Sequence, residues 1–212
     1  MVAKNHMYIP SHFAENDTQR LQDFMRAHSF ATLVTTHDGA PFASHLPLML
    51  ESEIGTHGAL LGHMARANPQ CQDLAAGAEV LVMFQGEHAY VSPAWYEPHA
   101  MSVPTWNFTA VHAYGTARIL SESELENALR QLTDEHEKSL PQPWKLELTQ
   151  TMRERLLGAI VGFEITLNRV EGKFKLSQNR SEQDQRNVIE KLAQNEHGKD
   201  VAQAMRKNFQ RK

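Results

Sequence analysis

Residues 108–120, FTAVHAYGTARIL, alternate between two kinds of side chain over the length of a long strand. Val111 and Ala113 fall on one face, and His112 and Tyr114 fall on the other. A period of two residues is typical of a β-strand with one buried face, and a helix cannot satisfy it. The chain must therefore build a sheet that buries one side of this segment, and the other elements have to pack around that sheet.

Similar segments recur along the chain and are separated by turn signals or short helices. The predicted strands are 30–36, 41–50, 58–64, 79–84, 88–92, 108–120 and 159–170, with 172–180 as a further segment that can pair back across a turn at 170–172. His37–Gly39, HDG, predicts a hairpin turn because Gly39 tolerates a positive φ. Hairpins imply antiparallel pairing, and about seven short antiparallel strands indicate a barrel or a sandwich.

Helical patterns fill most of the remaining sequence. They lie within 16–29, 65–78, 121–139, 148–158, 181–195 and 199–210. Ser121 and Glu124 form a capping-box pattern at the start of the third segment. The fold class is therefore α+β, built on an antiparallel β-barrel. We expect one domain over residues 1–212, with a C-terminal helical extension at about 181–212.

Composition excludes several classes of protein. The only cysteine, Cys71, cannot form an internal disulfide or a cysteine-based metal site. The apolar runs are too short to cross a bilayer, and residues 1–13 lack the apolar region of a signal peptide, so we expect a cytoplasmic protein without membrane contact. The 12 histidines show no close metal-ligand spacing, and no metal is predicted.

Charge argues against broad contact with nucleic acid. The formal net charge is −4, which weakens the electrostatic attraction that DNA binding requires. Basic residues do gather at the C-terminal end, where Arg206, Lys207, Arg211 and Lys212 form the one plausible basic surface. No segment has the pattern of a helix-turn-helix. DNA is therefore a possible partner with little support from the sequence.

Three segments could bind a ligand, and each also has a simple structural explanation. In 60–69, LLGHMARANP, Arg66 lies at a junction of strand and helix where a phosphate can bind, or it is an ordinary surface residue. Pro47 marks either a sheet edge or a ligand-facing stretch, the edge being favoured. Lys173 and Lys175 share one face of 172–180, and this face contacts either an acidic ligand or solvent.

Residues 88–108, HAYVSPAWYEPHAMSVPTWNF, are unusually aromatic for a segment interrupted by three prolines. The rings can stack on a flat ligand or can plug one end of the barrel. His88, His99 and His112 are candidate proton donors or contacts for an acidic substrate, although each is more readily explained as a core or surface histidine. Together with the segments above, this region suits a ligand with a flat ring system and a terminal phosphate.

Several blocks of the chain resemble one known family, over roughly Met7–Leu192. They are MYIPSHF, FATLVTTHDGAPFASHLPLML, GHMARANPQ, HAYVSPAWY, VPTWNFTAVHAYG and KLSQNR. These blocks are similar to the PaiB family of FMN-binding negative transcriptional regulators. The resemblance implies an antiparallel split β-barrel related to the pyridoxamine-phosphate oxidases, with FMN as cofactor. It also implies a homodimer with two FMN sites at the subunit interface.

The resemblance further implies which residues hold the flavin. They are Ser44, His45, Leu46, His63, Met64 and Arg66 in one subunit, Trp106 and Asn107 from its partner, and Lys173, Lys175 and Gln178 near the flavin rim. The family's name implies a flavin-dependent transcriptional regulator. Two alternatives stay open: a flavin-dependent oxidoreductase of an unknown small molecule, and a haem-binding protein.

Overall fold

The computed structural model of the protein describes residues 7–97 and 102–211. Its helices are α1 (Thr18–Ala27), α2 (Gln70–Ala75), α3 (Glu122–Glu137), α4 (Gln150–Ala159), α5 (Glu182–Ala193) and α6 (Lys199–Phe209). Its strands are β1 (Ala14–Glu15), β2 (Phe30–His37), β3 (Ala40–Pro47), β4 (Met49–Glu51), β5 (Ala59–Ala65), β6 (Glu79–Val91), β7 (Thr105–Ile119) and β8 (Ile160–Lys175). Short 3-10 turns lie at Ser11–Phe13, Pro93–Trp95 and Glu196–Gly198.

One sheet contains all eight strands, in the order β3-β2-β6-β7-β8-β5-β4, with β1 paired to β8. The predicted hairpin at HDG is present, with Asp38 at φ 49° and Gly39 at φ 79°, as a tight antiparallel turn requires. The strands at the two ends of the order, β3 and β4, are separated in the chain by Leu48 alone. The predicted class, an α+β antiparallel split barrel with peripheral and C-terminal helices, is confirmed.

Two predicted turns are wrong. β6 continues through QGEH at 85–88, and β8 continues through VEG at 170–172, so each is a single long strand. The glycines in these segments give room for α1. A Cβ on Gly86 would lie 2.8 Å from the Phe24 ring, and a Cβ on Gly172 would lie 2.3 Å from Leu21 Cδ2. Both glycines therefore permit a close approach between helix and strand and do not reverse the chain.

The chain divides into two compact units. The first contains residues up to Phe24, then Gln85–Val111 and Glu171 onward, so it includes α5 and α6. Its buried side chains come from strands and helices alike: Leu21, Phe24, Val91, Tyr96, Phe174, Leu176, Val188, Leu192, Val201 and Met205. The two C-terminal helices are thus packed into the core of this unit.

The second unit comprises Met25–Phe84 and His112–Val170. Its core is formed by Leu33, Leu48, Leu60, Leu74, Phe84, Phe163 and Ile165. A smaller apolar cluster joins α3 to α4 through Leu125 and Leu157. The predicted capping box is present, since Ser121 accepts from the Glu124 N–H while the Glu124 carboxylate accepts from the Ser121 N–H. In the parts of the chain that the structure describes, no helix is both long and apolar enough to span a membrane.

Candidate functional site

The split in the barrel lies in the second unit, between β3 and β5. The chain pairs with β2 up to Pro47 and with β5 from Met49 onward. Pro47 has no N–H to continue a ladder, and the Leu48 N–H turns instead to the Ser29 carbonyl at 2.9 Å. β3 and β5 stay close in space, but no ladder joins them within the described residues. The sheet is therefore open between β3 and β5, and polar side chains on these two strands are candidates for contact with a ligand.

Ser44 and His45, from the predicted site, lie on β3 next to this opening. Ser44 is half-buried, and its Oγ accepts a hydrogen bond from Asn68 Nδ2 at 3.0 Å, which leaves the hydroxyl hydrogen free to donate. The His45 ring is exposed, and its Nδ1 is 3.0 Å from Thr32 Oγ1. Asn68 was not predicted as a site residue, although its position before Pro69 at the start of a helix could have indicated this role.

The predicted residues of β5 differ in exposure. Met64 is buried, as is Leu46 on β3, so any contact from these two to a ligand involves the backbone or a small part of the side chain. His63 is half-buried, and burial lowers its pKa below the ordinary 6.5. A neutral ring supplies one donor and one acceptor, which suits hydrogen bonds to an uncharged heterocycle.

Arg66 has a structural role that the sequence did not reveal. Its Nε donates to the Gly158 carbonyl at 2.8 Å, and its Nη2 donates to Leu157 and Ile160 carbonyls at 3.2 and 2.8 Å. Leu157 and Gly158 lie in the last turn of α4 and Ile160 follows that helix directly, so the guanidinium caps its C-terminal end. Its Nη1 makes no hydrogen bond among the described residues, and those two N–H groups point from an exposed side chain. The expected phosphate contact stays a prediction.

A buried polar network lies beside the opening and joins α2 to β2. Gln70 is fully buried, and its Nε2 donates to Thr35 Oγ1 at 3.1 Å, while its Oε1 has no hydrogen-bond partner among the residues that the structure describes. Thr35 Oγ1 donates to the Asp73 carboxylate at 2.6 Å, and His37 Nδ1 lies 2.9 Å from the same group. The network fixes α2, and with it the segment that carries Arg66 and Asn68.

The contribution of the His37–Asp73 ion pair to stability depends on pH. The hydrogen bond to Asp73 raises the pKa of His37 above 6.5. Burial raises the pKa of Asp73, but the hydrogen bonds from Thr35 and His37 outweigh it and leave that pKa below 3.8. The stabilisation that this ion pair gives the fold is therefore fully present between pH 3.8 and pH 6.5, the ordinary pKa values of the two groups. It declines as the pH rises through the raised pKa of His37, and it also declines as the pH falls through the lowered pKa of Asp73.

We expect the urea midpoint of the wild-type protein to fall between pH 6 and pH 9 by more than that of His37→Gln, because the variant has no charged ring to lose. His136→Gln is the matched control, since His136 is exposed on α3 and should leave the wild-type pH dependence unchanged. Equal slopes for wild type and His37→Gln would show that the pair does not stabilise the fold.

The first unit contains the other predicted site residues. Trp106 is 53% exposed, and its ring centroid lies 6.2 Å from His88 and 6.1 Å from Tyr90. Tyr96, by contrast, is 1% exposed and packs into the core. The aromatic segment thus contributes both to the core and to an open aromatic surface. His99 lies outside the described residues.

Asn107 and Gln178 make their hydrogen bonds inside this unit. Asn107 is fully buried, and its Nδ2 donates to Ser177 Oγ at 2.9 Å. Gln178 Oε1 accepts from the Leu176 N–H at 2.7 Å. Lys173 and Lys175 are half-buried on β8. The expected contacts of these residues with a flavin stay predictions. No group of three or more potential metal ligands occurs in the described ranges.

The sheet and its opening between β3 and β5 define a split-barrel protein. The "FAD and Heme binding protein from Mycobacterium smegmatis" superimposes with a TM-score of 0.62, at 17% identity, over 81% of this chain and 78% of that one. The flavocytochrome Anf3 from Azotobacter vinelandii gives a TM-score of 0.61, at 14% identity, over 81% of this chain and 74% of its own. At these identities the likeness establishes the fold.

Sequence comparison establishes the family. A family model described as "Putative FMN-binding domain" matches residues 7–169. The Bacillus subtilis (strain 168) protein "Protease synthase and sporulation protein PAI 2" is 41% identical over 203 residues, covering 94% of this chain and 96% of that protein. The chain belongs to the PaiB family of FMN-binding split-barrel proteins. The predicted cofactor, FMN, is therefore confirmed.

Proposed function

We propose that the protein is an FMN-dependent transcriptional regulator that acts as a homodimer. The observation that carries the proposal is the end-to-end similarity to the B. subtilis protein, at 41% identity. The name of that protein refers to protease synthesis and sporulation, which are cellular programmes and not a single reaction. Such a name supports a regulatory role for a close relative.

The residues beside the β3–β5 opening have a donor set that fits FMN. Ser44 retains a hydroxyl hydrogen, and Arg66 retains the two N–H groups of Nη1. His45 presents an exposed ring. Flavin carbonyls and phosphate oxygens are acceptors, so a surface rich in unused donors is complementary to them. We assign the phosphate to Arg66, and the ring system to Ser44, His45, Leu46, His63 and Met64.

The remaining flavin contacts would come from the second protomer. Trp106 presents an open ring, which is suited to packing against a flat heterocycle or its neighbouring subunit. Lys173, Lys175 and Gln178 would lie at the flavin rim, and the buried Asn107 would act by holding its surroundings in place. Bound FMN would supply reversible redox chemistry, while the protein's residues bind it, orient it and exclude water.

Regulation through direct DNA contact has little support from the charge distribution. The net charge is −4, and Arg211 is paired with Asp17 at 3.0 Å. Lys199, Arg206 and Lys207 are exposed cations of α6. We therefore propose that the flavin state is read through a partner or a small ligand, and that DNA binding, if measured, will be weak and salt-sensitive.

An FMN titration of the purified protein, combined with light scattering for mass, tests the proposal. We expect saturable FMN binding and a dimer mass. A colourless protein that takes up no FMN, or a monomer with full FMN affinity, would contradict it. A gel shift with promoter DNA at two salt concentrations then separates direct from indirect regulation.

Arg66→Ala should weaken FMN binding by about tenfold or more, because a charged hydrogen bond to the phosphate contributes about 1.5–3 kcal/mol. The same change should lower stability, since the carbonyls of Leu157, Gly158 and Ile160 lose their donor. Riboflavin has no phosphate and should bind both forms with equal affinity. Unchanged FMN affinity in a folded Arg66→Ala protein would refute the phosphate assignment.

The aromatic surface around Trp106 favours a second candidate function, a flavin-dependent oxidoreductase. Trp106, His88 and Tyr90 form an exposed group of rings that can cover a flat substrate. Steady consumption of NAD(P)H by the FMN-loaded protein in the presence of an electron acceptor would favour this candidate. Its absence with several acceptors would favour the regulator.

A further inference from the structure

Three cations gather where β8 ends in the first unit. Lys173 Nζ donates to the Tyr8 carbonyl at 2.8 Å, and Lys175 Nζ donates to Thr105 Oγ1 at 2.6 Å. The Arg180 guanidinium lies 4.3 Å from the centre of the Tyr96 ring. Every one of these contacts is with a neutral group. We call Lys173, Lys175 and Arg180 the basic cluster.

The charge of the basic cluster is not neutralised by the protein. Within the described residues none of the three forms an ion pair with a carboxylate, although Arg20 in the same unit is paired with Glu15. All three side chains are half-buried, which removes part of their hydration. Burial lowers the pKa of Lys175, and the charges of Lys173 and Arg180 lower it further. An anion bound here would relieve this repulsion.

The position of Arg180 is fixed by a strained turn. Ser177 has a φ of 67°, which is costly for a residue with a side chain. Asn107 holds the Ser177 hydroxyl, and the Arg180 N–H donates to the Ser177 carbonyl at 3.0 Å. A strained conformation persists only where the surroundings enforce it, and it is common at ligand sites. The turn brings Arg180 close enough to Lys175 for its charge to lower the pKa of that lysine.

We propose that the basic cluster binds the carboxylate or phosphate of a small-molecule acid that is distinct from FMN. The match to the FMN-binding family model ends at residue 169, before the first member of the cluster. Two lysines and an arginine held at fixed positions are suited to an oxyanion, since charge-assisted hydrogen bonds form without further ordering of the side chains. The site would bind a substrate or effector, and it does not depend on a regulatory role.

Calorimetric titration of the FMN-loaded protein with citrate and with inorganic phosphate tests the site. Wild-type protein should bind at least one of these probes, and binding should weaken as NaCl is raised. Lys175→Gln and Arg180→Gln should each raise the probe's Kd by about tenfold or more, whereas Lys175→Arg should retain most of the affinity. Lys191→Gln, an exposed lysine on α5, is the matched control and should bind like wild type.

Parallel titrations with FMN and riboflavin identify the source of the oxyanion. If the cluster binds a separate acid, Arg180→Gln should keep wild-type FMN affinity within about twofold. A selective loss of FMN affinity with riboflavin unchanged would show that the cluster holds the flavin's own phosphate, and the proposal would be overturned. Failure of the wild-type protein to bind either probe, or unchanged binding by both folded Gln variants, would overturn it as well.

Discussion

Gly115→Ala is expected to lower the free energy of unfolding by about 3 kcal/mol or more, or to prevent folding. A Cβ at this position of β7 would lie 2.3 Å from the Thr166 carbonyl oxygen and 2.8 Å from Ile165 Cγ2. The oxygen cannot easily move, because Thr166 is paired in register with Ala59 of β5. Relief therefore requires displacement of the backbone of β8 from its ladder.

Equilibrium urea unfolding of the purified variant measures the effect. Gly158→Ala is the control, because nothing lies within 4 Å of a Cβ at that helical position. It should be neutral or should stabilise by up to about 1 kcal/mol, since alanine favours a helix over glycine. A loss below about 1 kcal/mol for Gly115→Ala would mean that the sheet yields locally at little cost.

The helices and strands that have a local sequence signal could be predicted from the sequence alone. The capping box at Ser121 predicted the start of α3, and HDG predicted the hairpin between β2 and β3. The alternation through Val111 and Ala113 predicted the buried face of β7. Each of these depends on residues a few positions apart, so a single pass along the chain can detect it.

The extent of β6 and β8 could not be predicted in this way. Gly86 and Gly172 give the same local signal whether the chain turns or another element approaches closely. The distinction depends on Phe24 and Leu21 of α1, which are far away in sequence. The role of Arg66 was hidden for the same reason, since the carbonyls it caps begin at Leu157.

The burial of Asn107 was predictable. It lies one residue before the predicted strand 108–120 and has the same parity as Val111 and Ala113, so extending the alternation backwards puts it on the buried face and Trp106 on the open face. The family resemblance had grouped Trp106 and Asn107 as neighbours with one role. Their opposite faces favour two roles: a contact surface for Trp106, and a structural one for Asn107.

Asn107→Leu should lower the free energy of unfolding by about 2–4 kcal/mol, although the side chain keeps its size. Asn107 is fully buried and exchanges hydrogen bonds of 2.9 and 3.3 Å with Ser177, which is itself buried. Leucine would leave the Ser177 hydroxyl without its hydrogen-bond partner. The positive φ of Ser177 would then lose one of the contacts that stabilise it. Urea unfolding measures the loss.

Asn168→Leu separates this effect from a general cost of losing an asparagine, because Asn168 is exposed on β8 and should change stability by less than about 0.5 kcal/mol. If Asn107→Leu were equally mild, the buried pair would not hold the turn. The variant should also bind citrate or phosphate more weakly than wild type, because the turn it loosens carries Arg180. A marked loss of stability with unchanged anion binding would show that Asn107 stabilises the core and does not position the basic cluster.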